Sequence, residues 1–259
     1  MNRKDYWNKD YVEYWKKRTE EANSIENHAS SIVKEDSLAS SSENYASAID
    51  LLDINGDDAV LEIGCGFGRS IPYLASKAWN ISAIDISKEM IKFAKSSYSK
   101  LFPSVNFCVA EAERLPYDGE LFNKIICFAV FDALYQKEAL VEINRISKIG
   151  GNILITGKND DFFDDDDAAL VAEVNARQKG HPNYFTNMKL LLEKIHLFGF
   201  KVCISRFFLR RGDENTNKYM DSLPKKFYTY LLILEKISSS VAPIDISSEF
   251  SNTWLRKNS

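Results

Sequence analysis

From Asp58 onward, short apolar runs alternate with stretches of helical periodicity. "AVLEIG", "ISAID", "VNFCVA", "KIICFAV" and "NILITG" read as strands, each too short and too continuous in apolar residues for a surface helix. Between them, "SIPYLASKA" and "SKEMIKFAKSSYSK" read as helices, the second with Ser87 as its N-cap. "KEALVEINRISK" places Leu140, Ile143 and Ile146 on one face and is expected to close at Gly150 and Gly151. Strands that alternate with helices predict a parallel sheet covered on both faces. The later part differs. "NMKLLLEKIHLFGF" is a helix stopped at Gly199, and two strands follow it, "FKVCISRFFL" and "FYTYLLILEK", with only the loop-like "GDENTN" between. Two strands without an intervening helix predict an antiparallel hairpin. The expected fold class is therefore α/β: a doubly wound, mostly parallel sheet of seven strands with a C-terminal antiparallel hairpin.

Three segments are distinguished. Residues 1–42 read as an N-terminal helical extension, with Trp7, Tyr11, Tyr14, Trp15 and Arg18 at helical spacing, followed by a serine-rich stretch of weak periodicity. Those aromatics, with Tyr6, suit either a lid over a pocket or a packed stripe that holds the extension to the core. Residues 43–240 form the main domain, opened by a helix over "SENYASAIDLL", and residues 241–259 form a tail. The run Asp164 to Asp167 precedes "AALVAEVNARQ", where Leu170, Val171 and Val174 share a face; acids there complement a helix dipole better than they suggest a metal site.

Composition narrows the classes. The chain has 259 residues, 45% hydrophobic and 27% charged, enough for one sizeable core. A formal net charge of -4 argues against a nucleic-acid partner. No apolar stretch approaches the ~20 residues of a membrane span, and "MNRKDYWNKD" lacks a signal-peptide core, so no membrane association and a cytoplasmic location are expected. The four cysteines have no metal spacing and read as small hydrophobes. Nothing in the sequence sets an oligomeric state.

The chemistry begins at "VLEIGCGFGRS". Gly64, Gly66 and Gly68 end the first strand, where a parallel sheet binds its ligands and where glycine lets backbone approach them. The spacing is GxGxG; Arg69 occupies the place of the third glycine of a dinucleotide fingerprint, and the GK[ST] of a phosphate loop is absent. Glu62 just before the glycines disfavours a polyanion and suits a cationic ligand.

These residues resemble the first motif of the class I S-adenosylmethionine-dependent methyltransferases. "ISAIDISKEMIKFAK", "AEAERLPY" and "ALVEINRISKIGGNILI" are similar to that family's later motifs, in order, over about residues 43–157; the tail extends the match to about 235. The resemblance implies the Rossmann-like methyltransferase fold and S-adenosylmethionine as cofactor. It implies that Gly64, Cys65, Gly66 and Gly68 line the methionine moiety, and that the helix start near Arg69 and Ser70 faces its carboxylate. Glu62 would favour the ammonium, or serve as a buried structural acid. Asp85 would accept from both ribose hydroxyls, Ile86 would lie on the adenine, and Glu111 and Ala112 would contact its edge. The Phe128 carbonyl would accept from the ammonium. Many relatives have Asp where this chain has Glu111.

With the methyl supplied by a cofactor, a protein mainly aligns a nucleophile. Candidates beyond the fourth and fifth strands are Asp132 and Tyr135, Asn159 and Asp160, and His181 and Tyr184. Of these, Asp132, His181 and Tyr184 are expected to carry catalysis, against the blander roles of helix cap and surface side chain. A divalent-metal site at Asp132, Asn159 and Asp160 has loose spacing, and no metal is expected. "FAVFDA" replaces the (D/N/S)PPY-like motif of amino-methylating DNA enzymes, and no basic, aromatic strip suggests RNA. The expected activity is methyl transfer to an oxygen or nitrogen of a small-molecule acceptor. A sugar or surface-glycan precursor is one variant of that reading; a non-catalytic S-adenosylmethionine-binding regulator is the alternative of another class.

Overall fold

The computed structural model describes residues 3–14, 16 and 42–249. Trp15, Arg18 and residues 250–259 of the tail lie outside them. The strands are β1 (Ala59–Ile63), β2 (Asn80–Asp85), β3 (Asn106–Val109), β4 (Phe122–Cys127), β5 (Ser147–Lys158), β6 (Tyr184–Thr186), β7 (Phe200–Phe208), β8 (Thr229–Lys236) and β9 (Ser247–Glu249). Seven of them make one sheet in the order β3-β2-β1-β4-β5-β8-β7, while β6 and β9 pair as a separate antiparallel ribbon. The first five are parallel, and β8 and β7 join antiparallel. The chain winds outward from β1 in both directions, so the crevice lies where the order reverses, between β1 and β4.

The expected hairpin is present, but its second strand sits inside the sheet, next to β5. Burial explains this. Tyr230 to Leu234 of β8 are buried on both faces, as an interior strand requires. β7 carries Lys201 and Cys203 exposed and Arg206 half-buried, which suits an edge.

The helices are α1 (Arg3–Asp5), α2 (Ser42–Asp50), α3 (Ile71–Ala75), α4 (Lys88–Tyr98), α5 (Gln136–Ile146), α6 (Asp167–Gln178) and α7 (Met188–Lys194). α1 continues into a wider π-helical turn over Tyr6–Asp10, closed by the Tyr11 N–H on the Tyr6 carbonyl. On one face of the sheet, Ile49 of α2, Leu74 of α3 and Ile91 of α4 pack against Val60, Ile126 and Leu154. On the other, Leu140 and Ile143 of α5 and Leu191 of α7 pack against Leu61, Ile125 and Ile153. Ser87 caps α4 through its Oγ, 3.3 Å from the Met90 nitrogen.

Three local expectations are corrected. α5 ends at Ile146 with extended Ser147, so Gly150 and Gly151 lie inside β5 rather than closing the helix. "GDENTN" holds a short 3-10 helix over Asp213–Thr216. In α6 the buried positions are Ala169 and Glu173, and Val171 is exposed. A carboxylate takes an inward position there because a buried cation faces it, as the site shows. The helix from Met188 does stop at Gly199, through a 3-10 turn and a left-handed φ of +76°.

Candidate active site

The loop after β1 is shaped by its glycines. Gly64, Gly66 and Gly68 have φ of +75°, +52° and +78°, which other residues rarely adopt. A Cβ on Gly64 would stand 2.4 Å from Val130 Cγ2, whereas a Cβ on Gly66 would meet nothing within 4 Å. The loop thus packs on one side and leaves open space on the other.

Asp85, at the end of β2, ties this loop to the next. Its Oδ2 accepts from the Gly66 N–H at 2.9 Å and its Oδ1 from the Ser87 N–H at 2.8 Å. Burial pushes its carboxyl above the usual range, and the two N–H groups oppose that shift. The Gly64 and Cys65 N–H groups reach the Ile84 carbonyl at 2.8 and 2.9 Å, continuing the ladder into the turn.

Glu62 is 3% exposed and lies beneath the loop, not on the cavity wall. Its Oε1 accepts from the Tyr45 hydroxyl, and both of its oxygens lie 2.6 Å from Ser70 Oγ. Burial raises its carboxyl, against these donors and Arg69. Here Glu62 joins α2 to the start of α3. Ser70, expected near a ligand carboxylate, spends its hydroxyl on this bond.

A cavity of about 880 Å3 begins at the loop. Gly64, Cys65, Gly66, Asp85, Ile86, Glu111, Ala112 and Phe128 all line it; Gly68 does not. Gly68 instead supports the turn, its absent Cβ leaving room for Ala94 and Tyr98 of α4. Arg3, Trp7 and Tyr11 form part of the wall. Arg3 grips Glu113 with two bonds of 2.5 and 2.7 Å, and its guanidinium lies 4.4 Å from the centre of the Tyr135 ring. Lys4 pairs with Glu111. Glu111 therefore receives the N-terminal helix as well as facing the cavity.

Past Phe128 the cavity reaches a second group of side chains. Lys158, the last residue of β5, stands 3.1 Å from Asp132 Oδ2 and 3.0 Å from Glu173 Oε1. Glu173 also accepts from the Tyr228 hydroxyl at 2.5 Å and from Asn183 Nδ2 at 2.5 Å. Burial would lower the Lys158 ammonium; the two carboxylates outweigh it and hold it above the ordinary lysine value.

His181 lines the same end. Its Nδ1 is 2.9 Å from the Tyr6 hydroxyl, and the Trp7 ring meets it edge-on at 4.9 Å. Burial first, then Lys158, lower its pKa to about 4. The imidazole should stay neutral from pH 5 to 8. Histidine ring-proton chemical shifts should accordingly show one of the three histidines titrating near pH 4, lost in His181→Gln. A midpoint near 6.5 for that signal would mean the pocket is wet. Since the unfolded state takes up this proton near 6.5, the group costs stability as pH falls from there towards about 4.

Tyr184 does not line the cavity. It begins β6, leans on Tyr135 with ring centres 5.6 Å apart, and gives its carbonyl to Gln136. Asn159 is buried and bonded to the Asp161 and Phe227 carbonyls, and neither it nor Asp160 reaches the wall. Asp132 faces Lys158 instead of them, and no group of three His, Cys, Asp or Glu side chains suited to a metal occurs among the described residues. Sequence reading missed Lys158, Glu173 and Tyr228. The one signal was a lysine three residues past the apolar run Ile153 to Ile155, which is buried.

Fold and site together define a Rossmann-like domain of the methyltransferase type, with an acidic strand tip and no phosphate-binding turn. Residues 61–155 match the family model described as a methyltransferase domain. An uncharacterized protein of Methanocaldococcus jannaschii is 41% identical over 110 residues, 41% of this chain and 39% of that protein. The match thus spans about two fifths of that relative's length. An S-adenosylmethionine-dependent methyltransferase structure from Mesorhizobium loti superposes with a TM-score of 0.60 at 14% identity, covering 77% of this chain and all of that one. A geranyl diphosphate C-methyltransferase from Streptomyces coelicolor, solved with S-adenosylhomocysteine, Mg2+ and geranyl diphosphate, gives 0.59 at 15% identity over 75% of this chain and 79% of that one. Among the described residues, no helix is long and apolar enough to cross a membrane.

Proposed function

We propose that this protein binds S-adenosylmethionine at the glycine loop and passes its methyl group to an oxygen or nitrogen of a small-molecule acceptor. One observation carries the reading: a single cavity joins the loop and Asp85 to Asp132, Lys158 and His181. Its volume of about 880 Å3 lies at the upper end of small-molecule sites, room for a cofactor and a modest acceptor together.

The residues fit the cofactor. The open side of Gly66 admits a ligand against the backbone, and Asp85 suits a ribose diol while repelling a pyrophosphate. Ile86 and Ala112 offer an apolar slot for adenine. The Phe128 carbonyl is the acceptor for an ammonium, with Glu62 acting from below through the loop it holds. The cofactor supplies an activated methyl group. The chain's own groups then orient the acceptor: Lys158 and Asp132 by charge, His181 by a hydrogen bond. If Nδ1–H donates to Tyr6, the Nε2 lone pair is left to take the acceptor's proton. Tyr6, Trp7 and Tyr11 exclude water as a cover, which favours a small acceptor over a polymer.

The test is calorimetric titration with S-adenosylhomocysteine and NAD, then incubation with labelled S-adenosylmethionine and separate pools of small metabolites, RNA and protein. Binding of the first ligand only, with label in the small-metabolite pool, is expected. Label in RNA overturns the acceptor class; binding without label in any pool makes the protein a regulator.

A further inference from the structure

We propose that the acceptor carries an oxyanion, a carboxylate or phosphate, held by Arg206 of β7 with Arg211 and Thr229, at a distance from the atom that is methylated. This rests on the reading above and names the substrate class of the same site.

The cavity does not end at Lys158. It extends across the sheet to the C-terminal hairpin, where Arg206, Arg211 and Thr229 stand on its wall. Lys158 of β5, Thr229 of β8 and Phe208 of β7 occupy one cross-strand row, and Arg206 lies two residues from Phe208, on the same face of the sheet. Arg206 is half-buried and makes no ion pair among the described residues; its guanidinium lies 4.5 Å from the centre of the Tyr219 ring, which fixes it without neutralising it. Lys158, by contrast, is balanced by two carboxylates. Arg211 donates to the Tyr228 hydroxyl at 3.4 Å, and so adjoins the Glu173 network. Thr229 has a buried Oγ1 with no hydrogen-bond partner among the described residues. A buried hydroxyl in that state is unfavourable, and a ligand oxygen relieves it. Thr229 as a whole is partly exposed, so a χ1 rotation puts the hydroxyl on the wall.

Glu214 shares this wall. Burial pushes its carboxyl up, with the Gly212 N–H and Arg211 acting the other way. The cofactor's own carboxylate is too far away to be the partner of Arg206. β1 and β7 are separated by four strand spacings, roughly 19 Å, whereas β5 and β7 are two apart, roughly 10 Å. With the nucleophile at Lys158 and Asp132 and the anion at Arg206, the acceptor is elongated, its ends several ångströms apart.

The experiment uses the full chain saturated with S-adenosylhomocysteine, whose binding is measured first and reports separately on the proposed function. Three matched probes are then titrated by ligand-observed NMR: 4-hydroxyphenylacetate, 4-hydroxyphenyl phosphate and the neutral 4-hydroxyphenylacetamide. At least one anion should bind about tenfold or more tightly than the amide, and whichever does names the oxyanion. Arg206→Met should abolish that preference, and Thr229→Val should weaken the anion severalfold. Lys92→Met removes the same charge from exposed α4 and should change nothing. Cofactor-product affinity should be unchanged in all three variants. Equal binding of anions and amide, no anion binding at millimolar concentration, or a preference that survives Arg206→Met while S-adenosylhomocysteine still binds would each overturn the proposal.

Discussion

Asp85→Ala should raise the dissociation constant for S-adenosylhomocysteine about 100-fold or more. The Asp85 carboxylate accepts from the Gly66 and Ser87 N–H groups, which belong to two loops on the cavity wall. Two hydrogen bonds from a ribose to this carboxylate would be worth about 1.5–3 kcal/mol each, so losing both costs on the order of 3 kcal/mol or more, which is about 100-fold in affinity. The Gly66 and Ser87 bonds are made without ligand, so their loss reads out as lower stability of the empty protein. Asp85→Asn keeps one acceptor oxygen and should lose only about tenfold. Calorimetry reads the affinities, and thermal denaturation shows whether the empty protein still folds. An Ala variant that binds as well as wild type would remove Asp85 from the site.

Lys158→Met should lower the unfolding free energy by about 3–5 kcal/mol at pH 7, the usual cost of leaving one side of a buried pair uncompensated. Asp132 and Glu173 both face this ammonium, and Met cannot satisfy either. Adding Glu173→Gln and Asp132→Asn should recover most of the loss. Denaturant titrations at pH 7 decide it. A deficit under about 1 kcal/mol would show that the three groups are solvated rather than a buried network.

Much of the fold was legible. Strand and helix periodicity located the seven strands, and their alternation implied the parallel order up to β5. The hairpin was visible too, but not that β8 lies inside β7. That depends on which strand can be buried on both faces, and "YLLIL" against a β7 bearing Lys201 and Arg206 decides it only once both are compared as neighbours. α6 shows the opposite error: Leu170, Val171 and Val174 outscored Glu173 as a core face because periodicity counts apolar atoms and does not see a buried lysine waiting across the gap. Gly64, Gly66 and Asp85, singled out from their order alone, do stand on the cavity wall. Tyr184 could not be placed, since a residue near the edge of a loop may face either way, and the ribbon with β9 turned it towards Tyr135.

By itself the sequence determined what is local. The glycine turn, the acid at the end of β2 and the succession of elements follow from backbone conformations and periodicities set over a few residues. Only the tertiary structure decided what is convergent. Asp132, Lys158, Glu173, His181, Arg206 and Thr229 come from separate elements, and none of them has a local pattern that marks it. Sheet order brings them to one cavity, and low dielectric there makes each charge require a specific partner, so that their roles depend on neighbours distant in the chain.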